Sequence, residues 1–208
     1  MSNFDSRAAE WDKDLVRVER ANAVAVAIRE QVTLSKSMTA FEYGCGTGLL
    51  SFALQPYLGS ITLADSSTGM LEVLRGKITA SGSKNMTPLL LDLITDPLPK
   101  ARFDLVYTLL TLHHIHDTDR VLQGFHALLK PGGLLCIADL DKEDGSFHFD
   151  SDFDGYNGFE RGEMNEKIMR TGFANVRFST CYESPKNGRF YPMFLAVSEK
   201  SGNHSTAT

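Results

Sequence analysis

The chain has 208 residues, 42% hydrophobic and 23% charged, enough to bury one sizeable core without dividing into domains. Its net charge of -5 excludes the broad basic surface that phosphate-backbone binding needs. No apolar stretch approaches the roughly 20 residues of a membrane helix, and Met1-Ser2-Asn3-Phe4-Asp5 lacks the basic and apolar regions of a signal peptide. The expectation is a cytoplasmic protein, monomeric or homodimeric, with no nucleic-acid partner and no membrane association. Cys45, Cys136 and Cys181 lack the paired spacing of zinc or redox motifs and read as reduced thiols.

In chain order, residues 1–35 read as a helical cap. Its first part carries Trp11 among charged residues; two readings stay open, a wall of a pocket and an anchor for the terminus. Ala21, Val24, Ala25, Ile28 and Val32 then share one helical face. Residues 39–43 form a short apolar strand that ends at Gly44-Cys45-Gly46-Thr47-Gly48, and residues 49–57 are helix-compatible. Residues 60–64 are a second strand, followed by a helix with Met70, Leu71, Leu74 and Ile78 on one face, and residues 86–91 are a third strand.

Residues 103–111 and 133–140 are nearly continuous apolar runs, the pattern of central parallel strands covered on both faces. Between them Val121, Leu122, Phe125, Leu128 and Leu129 recur at helical spacing, and Pro131-Gly132-Gly133 stops the helix. A helix over 159–171 precedes β-rich segments 174–181 and 191–198, joined as a hairpin by a polar turn at 184–188. The predicted fold is α/β: a doubly wound, mostly parallel sheet with helices on both faces and a C-terminal antiparallel hairpin. Residues 1–199 are expected to form a single domain and 200–208 a flexible tail.

The loop after the first strand turns sharply and admits a close ligand because glycine removes the intervening Cβ. A dinucleotide loop wants its third glycine at position 49, where Leu49 stands with Gly48 before it. A P-loop wants a lysine that is absent. Asp65 ends the second strand, where a carboxylate can accept both ribose hydroxyls of an adenosine group. Asp92 after the third strand suits an exocyclic amine, with Leu93 packing on an adenine face.

These residues resemble the class I S-adenosylmethionine-dependent methyltransferases, in particular the small-molecule enzymes with a seven-stranded, Rossmann-like sheet. The resemblance spans residues 41–138. It rests on Glu42-Tyr43-Gly44-Cys45-Gly46-Thr47-Gly48, Ala64-Asp65-Ser66-Ser67 with Met70-Leu71, Phe103-Asp104-Leu105-Val106 leading to Leu112-His113-His114, and Leu128-Leu129-Lys130-Pro131-Gly132-Gly133. It implies S-adenosyl-L-methionine as cofactor. The backbone of Gly44, Cys45 and Gly46 would hold its methionine part, with Glu42 helping through structure or water. Asp65 would take the ribose, Met70 and Ser66 would flank the adenosine, and Asp92 and Leu93 the adenine. Thr108 and Leu109 would face the methionine and sulfonium. Glu42 stands where many relatives carry aspartate, and Tyr43 where an aliphatic residue is common.

Methyl transfer is an in-line displacement that needs alignment and exclusion of water more than catalytic side chains. If the acceptor needs a base, His113, His114, Asp139 and His148 are the candidates. No metal is expected from His113-His114-Ile115-His116-Asp117, because adjacent side chains point apart and a complete ligand set at diagnostic spacing is missing. Asp150-Ser151-Asp152-Phe153-Asp154-Gly155 starts like a calcium loop, but Arg161 replaces its bidentate glutamate. Residues 141–161, acidic and aromatic, read as an acceptor lid or an ordinary connection. The alternatives to methyl transfer to a small-molecule acceptor are a non-catalytic S-adenosylmethionine sensor and a nicotinamide-dependent oxidoreductase.

Overall fold

The structure, a computed structural model, describes residues 3–148 and 153–202. Helix α1 (Asn3–Arg7) and a 3-10 turn (Ala8–Lys13) lead into α2 (Leu15–Gln31), which starts where the Asp14 carboxylate accepts the Val16 N–H. Strand β1 (Thr39–Tyr43) is followed by α3 (Leu49–Leu54), β2 (Ser60–Asp65) by α4 (Thr68–Ser81), and then come β3 (Met86–Leu90) and β4 (Phe103–Leu109). Helix α5 (Thr118–Leu128), β5 (Leu129–Leu140), α6 (Arg161–Arg170) and the strands β6 (Phe173–Lys186) and β7 (Arg189–Lys200) complete the chain.

The seven strands lie in the order β3-β2-β1-β4-β5-β7-β6, parallel except that β7 runs antiparallel to both β5 and β6. The order reverses between β1 and β4, and a ligand crevice opens beyond the carboxyl ends of strands at such a point. Alternation along the central strands divides the core into two layers. Leu105, Tyr107, Cys136 and Ala138 pack with α2, α3 and α4; Val106, Leu135 and Ile137 pack with α5 and α6. At the other end of the strands the Asp104 carboxylate accepts the Thr39 N–H and hydroxyl and pairs with Lys130, each at 2.8 Å, which locks β1, β4 and β5 together.

The predicted elements are present with shifted ends. The hairpin is longer than the alternation suggests: β6 and β7 continue to a tight Asn187-Gly188 turn with both φ angles positive. That turn geometry matches the twist of the paired strands, so segment 184–186 is strand and not loop. Lys200, the first residue of the expected tail, lies in β7, and its ammonium donates to the carbonyls of His126 and Leu129 at the end of α5; residues 203–208 of that tail lie outside the described residues. Segment 129–133 belongs to β5, with a pairing irregularity opposite Phe103 and Leu105. The first helix splits at Asp14, and α6 begins at Arg161 because Phe159 bridges to Asp141.

Candidate active site

The chain turns from β1 into α3 with Gly44, Gly46 and Gly48 at φ +68°, +52° and +82°. A Cβ on Gly44 would sit 2.2 Å from the Thr111 Oγ1, so glycine is required there by contact as well as by conformation. A Cβ on Gly46 would meet nothing nearer than the Met70 sulfur at 3.9 Å and the Trp11 Nε1 at 4.0 Å. The side of Gly46 that carries no side chain therefore faces Met70 and Trp11.

Asp65 organises the loop from the end of β2. Its Oδ2 accepts the Gly46 N–H at 2.7 Å and its Oδ1 the Ser67 N–H at 2.8 Å, and each oxygen keeps a lone pair for a hydroxyl. Burial pushes this carboxyl above its ordinary range, against the pull of those N–H groups. Beneath the loop, Glu42 is 2% exposed and accepts a hydrogen bond from Ser51, whose Oγ lies 2.6 Å from the Tyr107 hydroxyl. Burial drives Glu42 up to about 8. Its action on a ligand runs through the loop it supports.

The other expected contacts divide into those that face the crevice and those that do not. Ser66 is exposed beside Asp65, and Asp92 is half-buried with its Oδ1 accepting the Ile94 N–H. Leu93 departs from the expectation: its side chain packs in the core against Gly124 of α5, and its N–H donates to the Tyr43 hydroxyl, which gives that buried phenol its partner. Thr108 also departs from it, because its hydroxyl turns back to the Tyr43 carbonyl at 2.9 Å. Leu109 is half-buried at the end of β4, before Leu110 in a left-handed conformation at φ +50°. Cys45 is buried, with its Sγ toward the Gly46 carbonyl.

The N-terminal segment covers this cradle. Asp5 accepts the Ser67 hydroxyl at 2.6 Å and the Gly69 N–H at 3.0 Å, at the start of α4. Asp12 accepts the Thr47 hydroxyl and pairs with Lys77, both at 2.5 Å, while Lys77 also donates to the Thr47 carbonyl. Trp11 carries the Arg17 guanidinium over its ring at 3.8 Å. Asp5, Asp12, Lys77 and Thr111 were not singled out from the sequence. Their partners lie tens of residues away, and the aromatic–acid pairs Phe4-Asp5 and Trp11-Asp12 are the only local trace.

Past β4, the turn at Leu112–His114 presents the candidate bases. The His113 Nδ1 lies 2.6 Å from the Asp139 Oδ1, and both side chains are buried. Asp139 spends its remaining capacity on the N–H groups of Leu112 and Leu140, so it holds the turn and the imidazole and is not itself aimed at a substrate. His114 and His148 close around His113, with ring centroids 4.1 and 5.1 Å from it. The premise that the adjacent histidines diverge fails because the 3-10 turn places both rings on one side. Burial and the two neighbouring histidines hold His114 down at about 3, a neutral imidazole.

Segment 141–161 is tied at its base by Arg161, whose guanidinium grips both Asp141 oxygens at 2.6 Å. It docks on the histidine turn through the Tyr156 N–H, which donates to the His113 carbonyl at 2.7 Å. Residues 149–152, including Phe149 and the first part of the calcium-like motif, lie outside the described residues. Among the described ones, His116 reaches Asp154 at 3.2 Å. Elsewhere, Arg20 of α2 donates to the Ser184 hydroxyl of β6 at 3.4 Å, while its Nε is sealed from solvent with no partner. Burial pulls Arg20 down to about 10.

A parallel sheet with this strand order and a reversed last strand, a glycine loop after β1 and a carboxylate closing β2 define the class I, seven-stranded, Rossmann-like methyltransferase fold. Residues 41–137, just under half of the chain, match a family described as "Methyltransferase domain". A relative named an uncharacterized methyltransferase of Schizosaccharomyces pombe is 33% identical over 118 residues, covering 53% of this chain and 42% of its own. A ubiquinone biosynthesis O-methyltransferase of Coxiella burnetii is 30% identical over 146 residues, 68% of this chain and 62% of its own. The chain thus spans less than two thirds of either relative. Among solved structures, one from a complex of the Haloferax volcanii Trm112 methyltransferase activator with a methyltransferase superimposes with TM-score 0.80 at 16% identity, covering 97% and 99% of the two chains. A SAM-dependent methyltransferase of Aquifex aeolicus gives 0.73 at 21%, covering 94% and 98%.

The cofactor of this domain type is S-adenosyl-L-methionine, and the cradle fits it. A thioether and an indole stand over Gly46, and Asp65 beside it is a half-buried acceptor with lone pairs to spare.

Proposed function

We propose that the chain transfers a methyl group from S-adenosylmethionine to a small-molecule acceptor in the cytoplasm. The observation that carries this reading is Gly46 beside the Asp65 carboxylate, with Trp11 and Met70 standing over it. Bound there, the cofactor supplies a methyl carbon on a positively charged sulfur. The backbone of Gly44, Cys45 and Gly46 would bind its methionine part, Asp65 its ribose, and Met70, Ser66 and Asp92 its adenosine. Phe4 and Trp11, edge to face at 6.0 Å, would exclude water.

On the acceptor side the polar inventory is small. The Nε2 of His113, on a ring fixed by Asp139, is buried with no hydrogen-bond partner, and the Nε of Arg20 is likewise without one. A half-buried guanidinium with no ion pair among the described residues, held only by the Ser184 hydroxyl, suits an acceptor bearing a carboxylate, phosphate or other anionic group. The kinship with an enzyme named for O-methylation in ubiquinone biosynthesis supports a small acceptor.

The test is turnover. Incubated with S-adenosylmethionine and a panel of small phenols, thiols and amines with and without an acidic group, the protein should form S-adenosylhomocysteine in an acceptor-dependent way, fastest with acidic members. Cofactor binding without turnover on any acceptor would replace this reading with that of a sensor.

A further inference from the structure

Three imidazoles meet at the acceptor side of the crevice. One donor nitrogen each from His113, His114 and His148 lies within 4.8 Å of the others. They come from two separate elements: His113 and His114 from the turn after β4, His148 from the segment after β5. The His113 Nδ1 faces the Asp139 carboxylate at 2.6 Å, an arrangement in which the neutral ring carries its proton on Nδ1 and its lone pair on Nε2. That Nε2 is buried, on a side chain 1% exposed, and has no hydrogen-bond partner. An orphan acceptor there costs free energy unless something fills the site.

We propose that His113, His114 and His148 form a binding site for a divalent transition metal, zinc in the first instance, with Asp139 as the carboxylate that orients His113. The donor chemistry selects the metal. Three imidazoles suit zinc and its neighbours in the first row, and magnesium and calcium demand oxygen ligands that the cluster lacks. The Asp139–His113 pair is the carboxylate–histidine arrangement that fixes the tautomer of a metal-bound imidazole. Tetrahedral zinc with bonds of about 2.0–2.1 Å sets its donors about 3.3 Å apart, so the three nitrogens close by about 1.5 Å at most.

The surroundings are built around the cluster. Phe153 stacks on His148 at 3.8 Å with the planes 12° apart, and the Phe4 edge meets His114 at 5.3 Å. Gly155 lies so close to the turn that a Cβ would be 2.3 Å from the His113 carbonyl, which fastens the segment carrying His148 to the turn carrying the other two. Three protein ligands leave a fourth position for water or for an acceptor heteroatom. Its use by an acceptor rests on the methyl-transfer reading; the metal site does not.

The experiment uses the full, tag-free chain freed of metal by chelator and titrated with zinc chloride, alongside cobalt chloride read by its visible absorption. The expected result is one equivalent of zinc, tetrahedral-type cobalt bands, affinity at least 100-fold weaker in His148→Ala and His114→Ala, and 10- to 100-fold weaker in Asp139→Asn. No stoichiometric uptake by the unmodified chain, or equal affinity in a folded His148→Ala, overturns the site. Titration of the same samples with S-adenosylhomocysteine keeps the two readings apart: its binding reports the cofactor cradle and the fold of each variant, zinc binding reports the histidines.

Discussion

Glu42→Gln isolates the buried acid beneath the glycine loop. Burial raises this carboxyl from 4.5 to about 8, and the hydrogen bond from Ser51, whose Oγ is also paired with the Tyr107 hydroxyl, does not compensate the lost water. Below the ordinary value both folded and unfolded chains hold the proton, and the contribution of the neutral acid is fully present. As pH rises from 4.5 toward 8 the unfolded chain releases the proton and the folded chain keeps it, so stability falls by up to about 1.4 kcal/mol per pH unit. The loss levels off above the folded value, after a gap of about 3.5 units, or roughly 5 kcal/mol. Glutamine keeps an oxygen for Ser51 and carries no proton to lose. Urea unfolding of both proteins from about pH 5 to pH 9 should give a stability difference that grows in favour of Glu42→Gln by several kcal/mol. Asp65, shifted in the same direction, is present in both and largely cancels. Parallel pH curves for the two proteins would refute the reasoning.

Two further outcomes follow from the loop and its cover. Asp65→Asn removes a charge-assisted acceptor and should weaken S-adenosylhomocysteine binding by about 1.5–3 kcal/mol, roughly 10- to 150-fold by calorimetry; unchanged affinity would show that the ribose does not lie there. Asp12→Asn unlatches Thr47 and Lys77, a partly exposed contact worth about 1 kcal/mol. Trypsin should then cut at Arg7 and Lys13 several-fold faster, with S-adenosylhomocysteine restoring protection; identical digestion of both proteins would mean the strap is held by other contacts.

The sheet was legible because its signals are local. Apolar runs at β4 and β5, helical spacing at Val121, Leu122 and Phe125, and the glycines after β1 each declare an element within a few residues. The hairpin turn is shorter than the sequence suggests because Ser184, Pro185 and Lys186 look like loop, and only strand pairing with residues 189–191 makes them β. Within the site, Asp65 and the glycine loop follow from their place at strand ends. Thr108 and Leu93 sit at such ends too, but the choice between facing the crevice and facing the core depends on Tyr43, which neither neighbours in sequence. The histidine cluster was hidden twice over. A 3-10 turn sets the azimuth of His113 and His114, and His148 arrives by a fold of the chain that no spacing rule encodes. Arg20 is equally silent in sequence, since the acceptor that its Nε lacks is a fact of three dimensions.

Calorimetric titration of the purified chain with S-adenosylmethionine, S-adenosylhomocysteine and NADH tests the cradle most directly. The account predicts one saturable site for each of the first two and no heat from NADH. Binding of NADH with no response to either sulfur-containing ligand would contradict it.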